Sequence, residues 1–373
     1  MRDFAKNEGN ENLEALAMIM SANAFQTLTD VYGPIPYTDA IVKGNVKPKF
    51  DSQENVYKGI IQTLTEAIQL IDITKENVPV AADLLFKGDL KKWIKFANSL
   101  KLRALIRTAK APGVNNVAQI QALITEDNLI SSNAESANIS NLTDQASAHP
   151  FFAILGNRKE FTVSSVLVSL LNQYNDPRLA IYAEKNVAGN YVGNTPGADT
   201  RNYVGTSAIG LFFKKADLKT VLISYSQVQF LLAEAANEGY IPNPIVGTIS
   251  KSQEYLRKGI VANFAYLGLP SADAVLYSEQ SSLDYSNLND GRKIIGQQVW
   301  LSTFGQGFEP WTEWRRTNYP VLVPVVQARL TSIPGRYTFP VLESSVNQVN
   351  YSQASSTIQG GDLLTSKVWW DVN

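Results

Sequence analysis

The sequence contains no cysteine and a single histidine, His149. Without cysteine there can be no disulfide, no thiolate metal ligand and no thiol nucleophile. This leaves the compartment open, because large exported proteins often carry no disulfide. A lone histidine excludes zinc motifs built on histidine pairs. A Ser-His-Asp triad would have to use His149, which stands beside Pro150 with no G-x-S-x-G elbow in the chain. No apolar run is long enough to span a bilayer. Met1 leads straight into polar residues, so no signal peptide is expected within this sequence. These features predict either a cytoplasmic protein or an export product shortened at its N-terminus. The net charge is -1, and no basic run gathers the Lys and Arg a nucleic-acid binder needs. Neutral sugar ligands are untouched by that exclusion.

The common chemical motifs are missing too. There is no phosphate-binding G-x-x-x-x-G-K-[ST] loop. Gly305-Gln306-Gly307 has no strand before it and reads as a tight turn, not a dinucleotide fingerprint. A glycosidase needs two carboxylates about 5–9.5 Å apart. Glu309 and Glu313 would share a helix face, but Arg315 and Arg316 beside them point to a structural ion-pair cluster. Asn287, Asn289, Asp290 and Gly291 miss the D-x-[DN]-x-[DN]-G calcium spacing and read as a turn. No catalytic residue, no metal ligand and no cofactor is therefore predicted.

What is present is a globular composition: 373 residues, 45% hydrophobic and 18% charged. The clearest element is Thr220 to Tyr240, TVLISYSQVQFLLAEAANEGY. Ser224 and Gln227 have capping-box spacing, and Ile223 and Val228 can staple across the cap. Tyr225, Val228, Leu231, Leu232 and Ala235 then recur on one face. Gly239, Pro242 and Pro244 stop the helix. A second capping box, Ser250 to Gln253, opens a helix to about Leu267, and the two should form an antiparallel hairpin.

Earlier in the chain, helices are predicted over Glu11–Tyr32, about Gln53–Ile71, Leu90–Ala109 (with Asp89 as cap) and Val117–Thr125. Trp93 lies on the apolar face of its helix and reads as core. Arg103 and Arg107, one turn apart, are expected to pair with carboxylates. Val163 to Tyr174 is a further helix, stopped by Asn175-Asp176-Pro177-Arg178. Leu269 to Asp290 reads as a Ser-, Asn- and Tyr-rich loop insertion. The polar loop after Thr125 holds two glycosylation sequons, at Asn138 and Asn141.

Several of these segments resemble the SusD/RagB family of outer-membrane nutrient-binding lipoproteins. SYSQVQFLLAEAANEGY is similar to that family's Ala-Glu-Ala helix. So, in family order, are LTDVYGPIPYTDAI, WIKFANSLKLRALIR, the Asn-Asp-Pro-Arg stop and Lys293–Pro320 (KIIGQQVWLSTFGQGFEPWTEWRRTNYP). Ile333–Pro340 and the closing Val368-Trp369-Trp370-Asp371 complete the series. Gly335 departs from the family, which often has a larger residue there.

The resemblance implies an all-α protein of tetratricopeptide-like antiparallel helix pairs, with a loop-rich ligand face and a few short strands. It implies a single SusD-like domain over residues 1–373, lacking the upstream signal peptide, lipidated cysteine and first helices of the family. It further implies non-catalytic capture of a nutrient, most plainly an oligosaccharide, on the outer face of a Bacteroidetes-type outer membrane. The partner would be a SusC-like TonB-dependent transporter, the membrane contact only a lipid anchor, and the sequons idle. A glycoside hydrolase or a helical protein-interaction scaffold is the alternative.

Sugars present flat C–H faces and many hydroxyls, so their sites combine rings with amides and carboxylates. Tyr277, Tyr285, Asn287, Asn289 and Asp290 offer this mixture in the 269–290 insertion. Tyr191 and Tyr203, in the glycine-spaced region before Thr220, are the second candidates. The six tryptophans are expected to be structural.

Overall fold

The computed structural model describes residues 1–75, 77–144, 146–156, 158, 161–198, 204–326 and 328–373. Contacts divide the chain into two compact units, residues 1–130, 308–317 and 332–373 in the first, 131–307 and 318–331 in the second.

The first unit begins with the short α1 (Arg2–Asn7) and then α2 (Glu11–Tyr32), α3 (Gln53–Leu70), α4 (Leu90–Thr108) and α5 (Val117–Thr125). Side-chain caps start the three long helices: Asn10 Oδ1 accepts from Leu13 N, Ser52 Oγ from Asn55 N and Asp89 Oδ1 from Lys92 N. Each satisfies an amide that the first helical turn leaves without a partner. Gly33 stops α2 with φ 79°, where a side chain would be strained.

Contacts give the helix directions. Asp30 meets Tyr57 while Asn12 meets the Asp72 backbone, so α2 and α3 run antiparallel. Gln26 meets Arg103 and Asp30 meets Arg107, so α4 runs alongside α2 in the same sense.

A buried ionic cluster ties these helices together. Arg107 reaches Asp30 at 2.5 Å, Glu309 at 2.5 Å and Glu313 at 2.7 Å, and Arg316 holds Glu313 from the other side at 2.5 Å. The expected carboxylate pairing of the α4 arginines is thus met, and Glu309 and Glu313 are spent structurally. Removing one member of such a cluster typically costs about 3–5 kcal/mol, because it strands the opposite charge. Trp93 is buried, as expected, with its indole N–H donated to Asp83 Oδ2 at 2.8 Å.

The second unit carries α6 (Pro150–Leu155), α7 (Ser165–Gln173), α8 (Leu179–Tyr182), α9 (Tyr225–Asn237), α10 (Lys251–Leu267), α11 (Ser271–Ser278) and α12 (Leu288–Ser302). His149 serves as the cap of α6, accepting from Phe151 N. Strand β1 (Ala137–Ile139) pairs antiparallel with β2 (Thr220–Ile223), and the small hairpin of β3 (Ile245–Val246) and β4 (Ile249–Ser250) joins α9 to α10.

The α9–α10 pair is antiparallel, as its caps and spacing predict: Ser252 Oγ donates to Ala233 O, and further along Gly259 faces Phe230. A Cβ on Gly259 would lie 2.5 Å from the Phe230 ring, so glycine sets how closely these helices approach. At Ser250 the capping box is complete in both directions; at Ser224 the serine half is formed.

Phe230, Leu256, Ile260 and Phe264 from this pair, with Leu171, Tyr182, Ile295 and Val299, form the core of the unit. Each such side chain contributes about 1.5–3 kcal/mol by leaving water. Inside that core sits Arg178, fully buried, from the Asn-Asp-Pro-Arg motif. It pairs with Asp176 at 2.6 Å and donates to Gln298 and Asn263 at 2.7 and 2.8 Å.

The chain then returns to the first unit through α13 (Glu309–Thr317), α14 (Glu343–Val346) and α15 (Gln348–Thr357). Arg336 is fully buried there, bonded to Tyr32 O and Asp362. The departure at Gly335 has a local reason: a Cβ would lie 2.6 Å from the Ser366 carbonyl oxygen.

One expectation fails. The segment from Leu269 to Asp290 is not an irregular insertion, because α11 and the first turn of α12 lie within it. Ala274, Tyr277 and Ser278 fall at helical spacing and are buried, a period hidden among serines and exposed residues.

Candidate functional site

The turn from α9 into α10 and the stretch before α12 face each other across a surface hollow of ≈ 510 Å³. Asn237 closes α9, Asn243 and Ile245 lie on the connecting hairpin, Gln253 is on the first turn of α10, and Tyr285 and Asn287 lead into α12. The wall carries the amides of Asn237, Asn243, Gln253 and Asn287, the hydroxyls of Thr248, Ser250 and Ser286, the Asp284 carboxylate, one aromatic ring, and two exposed apolar side chains, Ile245 and Leu288.

The amides are held by the fold. Asn243 Oδ1 accepts from Ser252 N at 2.8 Å. Asn237 Nδ2 donates to Leu288 O at 3.1 Å, and Gln253 Oε1 accepts from Ser250 N at 2.9 Å. Tyr285 shares a hydrogen bond of 2.6 Å with Ser252 Oγ. Burial raises the Tyr285 phenol above its usual value, so the hydroxyl stays neutral near pH 7. Side chains fixed in this way lose little freedom on meeting a ligand. Amides that both donate and accept, set beside a ring, suit a neutral hydroxylated molecule. No nucleophile–base pair lies among these residues.

The sequence-based site residues divide. Tyr285 and Asn287 line the hollow. Asn287 is also the cap of α12, its Oδ1 accepting from Asp290 N at 3.0 Å. Asp290 is exposed and accepts from Asn287 Nδ2 at 2.6 Å; Asn289 is exposed and accepts from Arg292 at 3.5 Å. Neither lines the hollow directly.

Tyr277 is a core residue, 4% exposed, stacked on Phe264 at 5.3 Å and accepting from Gln298 Nε2 at 3.2 Å. It cannot offer a ring to an external ligand, because α11 turns it inward. Tyr191 is half-buried against the core of its unit, with Lys185 Nζ 5.7 Å from its ring centroid. Tyr203 lies outside the described residues. Asn237, Asn243 and Gln253 were missed, since they belong to helix ends and a hairpin that sequence marks only as structural punctuation.

The tryptophans are held by the fold. Trp93 and Trp370 are buried, and Trp300, Trp311, Trp314 and Trp369 are half-buried.

Comparison with known proteins gives the family. The profile of the SusD-like family described as "Starch-binding associating with outer membrane" matches residues 1–340. No curated protein matches the chain significantly in sequence. Among solved structures, a chitin-binding protein is 28% identical, with TM-score 0.85, over 100% of this chain and 84% of its own. A SusD homolog from Bacteroides fragilis is 25% identical, with TM-score 0.85, over 98% of this chain and 85% of its own. A chitin-binding SusD homolog from Flavobacterium johnsoniae, 24% identical with TM-score 0.84 over 100% of this chain and 83% of its own, shares the fold. The mainly helical architecture, with two small two-stranded sheets among the described residues, is a SusD-like fold. Among the described residues no helix is long and apolar enough to cross a membrane. The family motifs run through both compact units and the match covers most of the sequence, so the chain belongs to the SusD-like family of non-catalytic, outer-membrane-associated nutrient-binding proteins.

Proposed function

We propose that the protein captures an oligosaccharide at the bacterial surface and hands it to a SusC-like TonB-dependent transporter, with the hollow between the α9–α10 hairpin and Tyr285–Asn287 as its ligand site. The observation that carries the ligand class is the hollow itself: four amide side chains, three hydroxyls and the Asp284 carboxylate beside one tyrosine ring and the exposed Ile245 and Leu288. Hydroxyl-rich, uncharged molecules use such walls through paired donor and acceptor bonds and C–H contact. The 28% identical relative is a chitin-binding protein, which makes chito-oligosaccharides the first ligands to try.

A lipid anchor on the outer face of the membrane would hold the protein beside its transporter. The family profile runs through both units, which supports reading the chain as one SusD-like domain. Calorimetric titration with a glycan panel, with the same mixtures then assayed for released product, tests the reading. Binding without turnover is expected. Product release would make the protein a glycoside hydrolase, and no glycan binding at all would favour a protein-interaction scaffold.

A further inference from the structure

A second hollow of ≈ 510 Å³ lies against the same helix, α10, as the amide hollow. The two share a wall. Ser250 and Gln253 line the amide hollow, and their chain neighbours Ile249 and Glu254 line the other. Asp284, from the amide hollow, pairs with Arg257, from the second, at 3.1 Å. The second hollow then follows α10 as far as Ala265. From Gln253 to Ala265 the helix rises about 18 Å, more than a disaccharide spans.

The wall of the second hollow suits the flat face of a sugar. Val261, Ala265 and Val275 give it an apolar surface. Tyr225, at the start of α9, is half-buried, so part of its ring stays open. Its hydroxyl makes no hydrogen bond among the described residues. Such a side chain offers C–H contact and a hydrogen bond to one ligand. Asn133 is exposed but fixed, because its Nδ2 donates to Ala262 O at 2.9 Å. Both residues can be reached from solvent.

Charge and shape narrow the ligand. Glu254 and Glu279 on the wall are matched by Arg257 and Lys258. Glu254 pairs with Lys258 at 2.7 Å, as Arg257 does with Asp284. No excess of either sign is left to draw in an ionic molecule. Both hollows lie against one unbroken 17-residue helix, so a single chain that fills them has to run straight. Sugars joined through equatorial 1,4-bonds form straight ribbons, whereas α-1,4-linked glucose coils.

We propose that the two hollows form one track, in which a neutral, straight, β-linked oligosaccharide lies along α10. Its near units occupy the amide hollow. Its far units rest on Tyr225 and Val261, beside Asn133. This rests on the reading of the amide hollow as a glycan site and adds to it a ligand longer than a disaccharide, with a second set of contacts.

Calorimetry on the full chain with chitobiose, chitohexaose and maltohexaose tests it. Chitohexaose should bind at least about 10-fold more tightly than either of the others, since it alone covers both hollows. Tyr225→Ala should weaken chitohexaose about 5- to 10-fold and leave chitobiose unchanged. Ala265→Glu, an exposed change to a good helix former, fills the far end of the track and should do the same even if Tyr225→Ala fails to fold. Asn287→Ser, in the amide hollow, should weaken both chitin fragments. Equal affinity for chitobiose and chitohexaose, or chitohexaose binding untouched by Ala265→Glu, would refute the track and leave the amide hollow standing. Maltohexaose binding as tightly as chitohexaose would refute the straight-chain requirement. Silence with both chitin fragments would refute this ligand, and silence across the whole glycan panel would refute the glycan reading beneath it.

Discussion

Trp370 donates its indole N–H to Asp30 Oδ1 at 2.9 Å, joining the end of the chain to α2 across 340 residues of sequence. The same carboxylate accepts from the Tyr57 hydroxyl and pairs with Arg107 at 2.5 Å. Every partner of this buried charge therefore comes from a different element. Trp370→Phe keeps the aromatic volume and removes only the N–H. Hydrogen bonds to charged groups are worth about 1.5–3 kcal/mol, so the variant should lose about that much. Urea denaturation would measure it, and an unchanged midpoint would show that the contact carries no stability.

Glu313 sets an acid limit. Burial alone would raise its carboxyl, but Arg316 and Arg107 outweigh burial and lower it from 4.5 to about 2. A carboxylate depressed by folding stabilises the protein fully above its unfolded value, and that contribution drains as pH falls from 4.5 toward 2. Asp30 runs the other way, because burial raises its carboxyl in spite of Arg107 and favours the folded state at low pH. Glu313→Gln should cost about 3 kcal/mol at neutral pH, the low end for breaking a buried pair. The gap from the unsubstituted protein should close across the 4.5-to-2 window. A gap that stays constant down to pH 2 would contradict the assignment.

Gly259 is a packing requirement. On helix propensity alone, Gly259→Ala would gain roughly 1 kcal/mol. The new methyl would meet the Phe230 ring at 2.5 Å, and overpacking of this kind costs about 1–3 kcal/mol. A net loss in melting temperature is expected, with recovery when Phe230→Leu makes room. A stabilised single variant would mean that α9 and α10 can move apart at little cost.

Asn287 has two roles that substitution can separate. Asn287→Ala removes both the α12 cap, worth about 1 kcal/mol of stability, and the amide facing the hollow. Asn287→Ser keeps a competent cap. Glycan binding should fall about 5-fold in the serine variant, with melting temperature preserved, the equivalent of one hydrogen bond. If both variants bind as the unsubstituted protein does, the hollow is not the site.

The local part of this structure was legible in the sequence. Ser224, Ser250 and Asp89 mark helix starts through bonds made within three residues, and Gly33 and Gly239 mark ends by backbone freedom alone. The ordered series of family-like segments likewise identified the fold before any contact was known.

The fate of individual side chains was decided by tertiary structure. Arg107 meets Glu309 and Glu313 across 202 and 206 residues, and no local spacing specifies which carboxylates will come within reach. Tyr277 and Tyr285 look alike in the sequence, two rings in one polar stretch. The turn of α11 against Phe264 and Arg178 buries the first, and the α9–α10 hairpin brings Asn237, Asn243 and Gln253 around the second. Helix caps depend on neighbours along the chain, so sequence alone determines them. Burial and ligand exposure depend on which distant surfaces meet, and only the folded chain sets that.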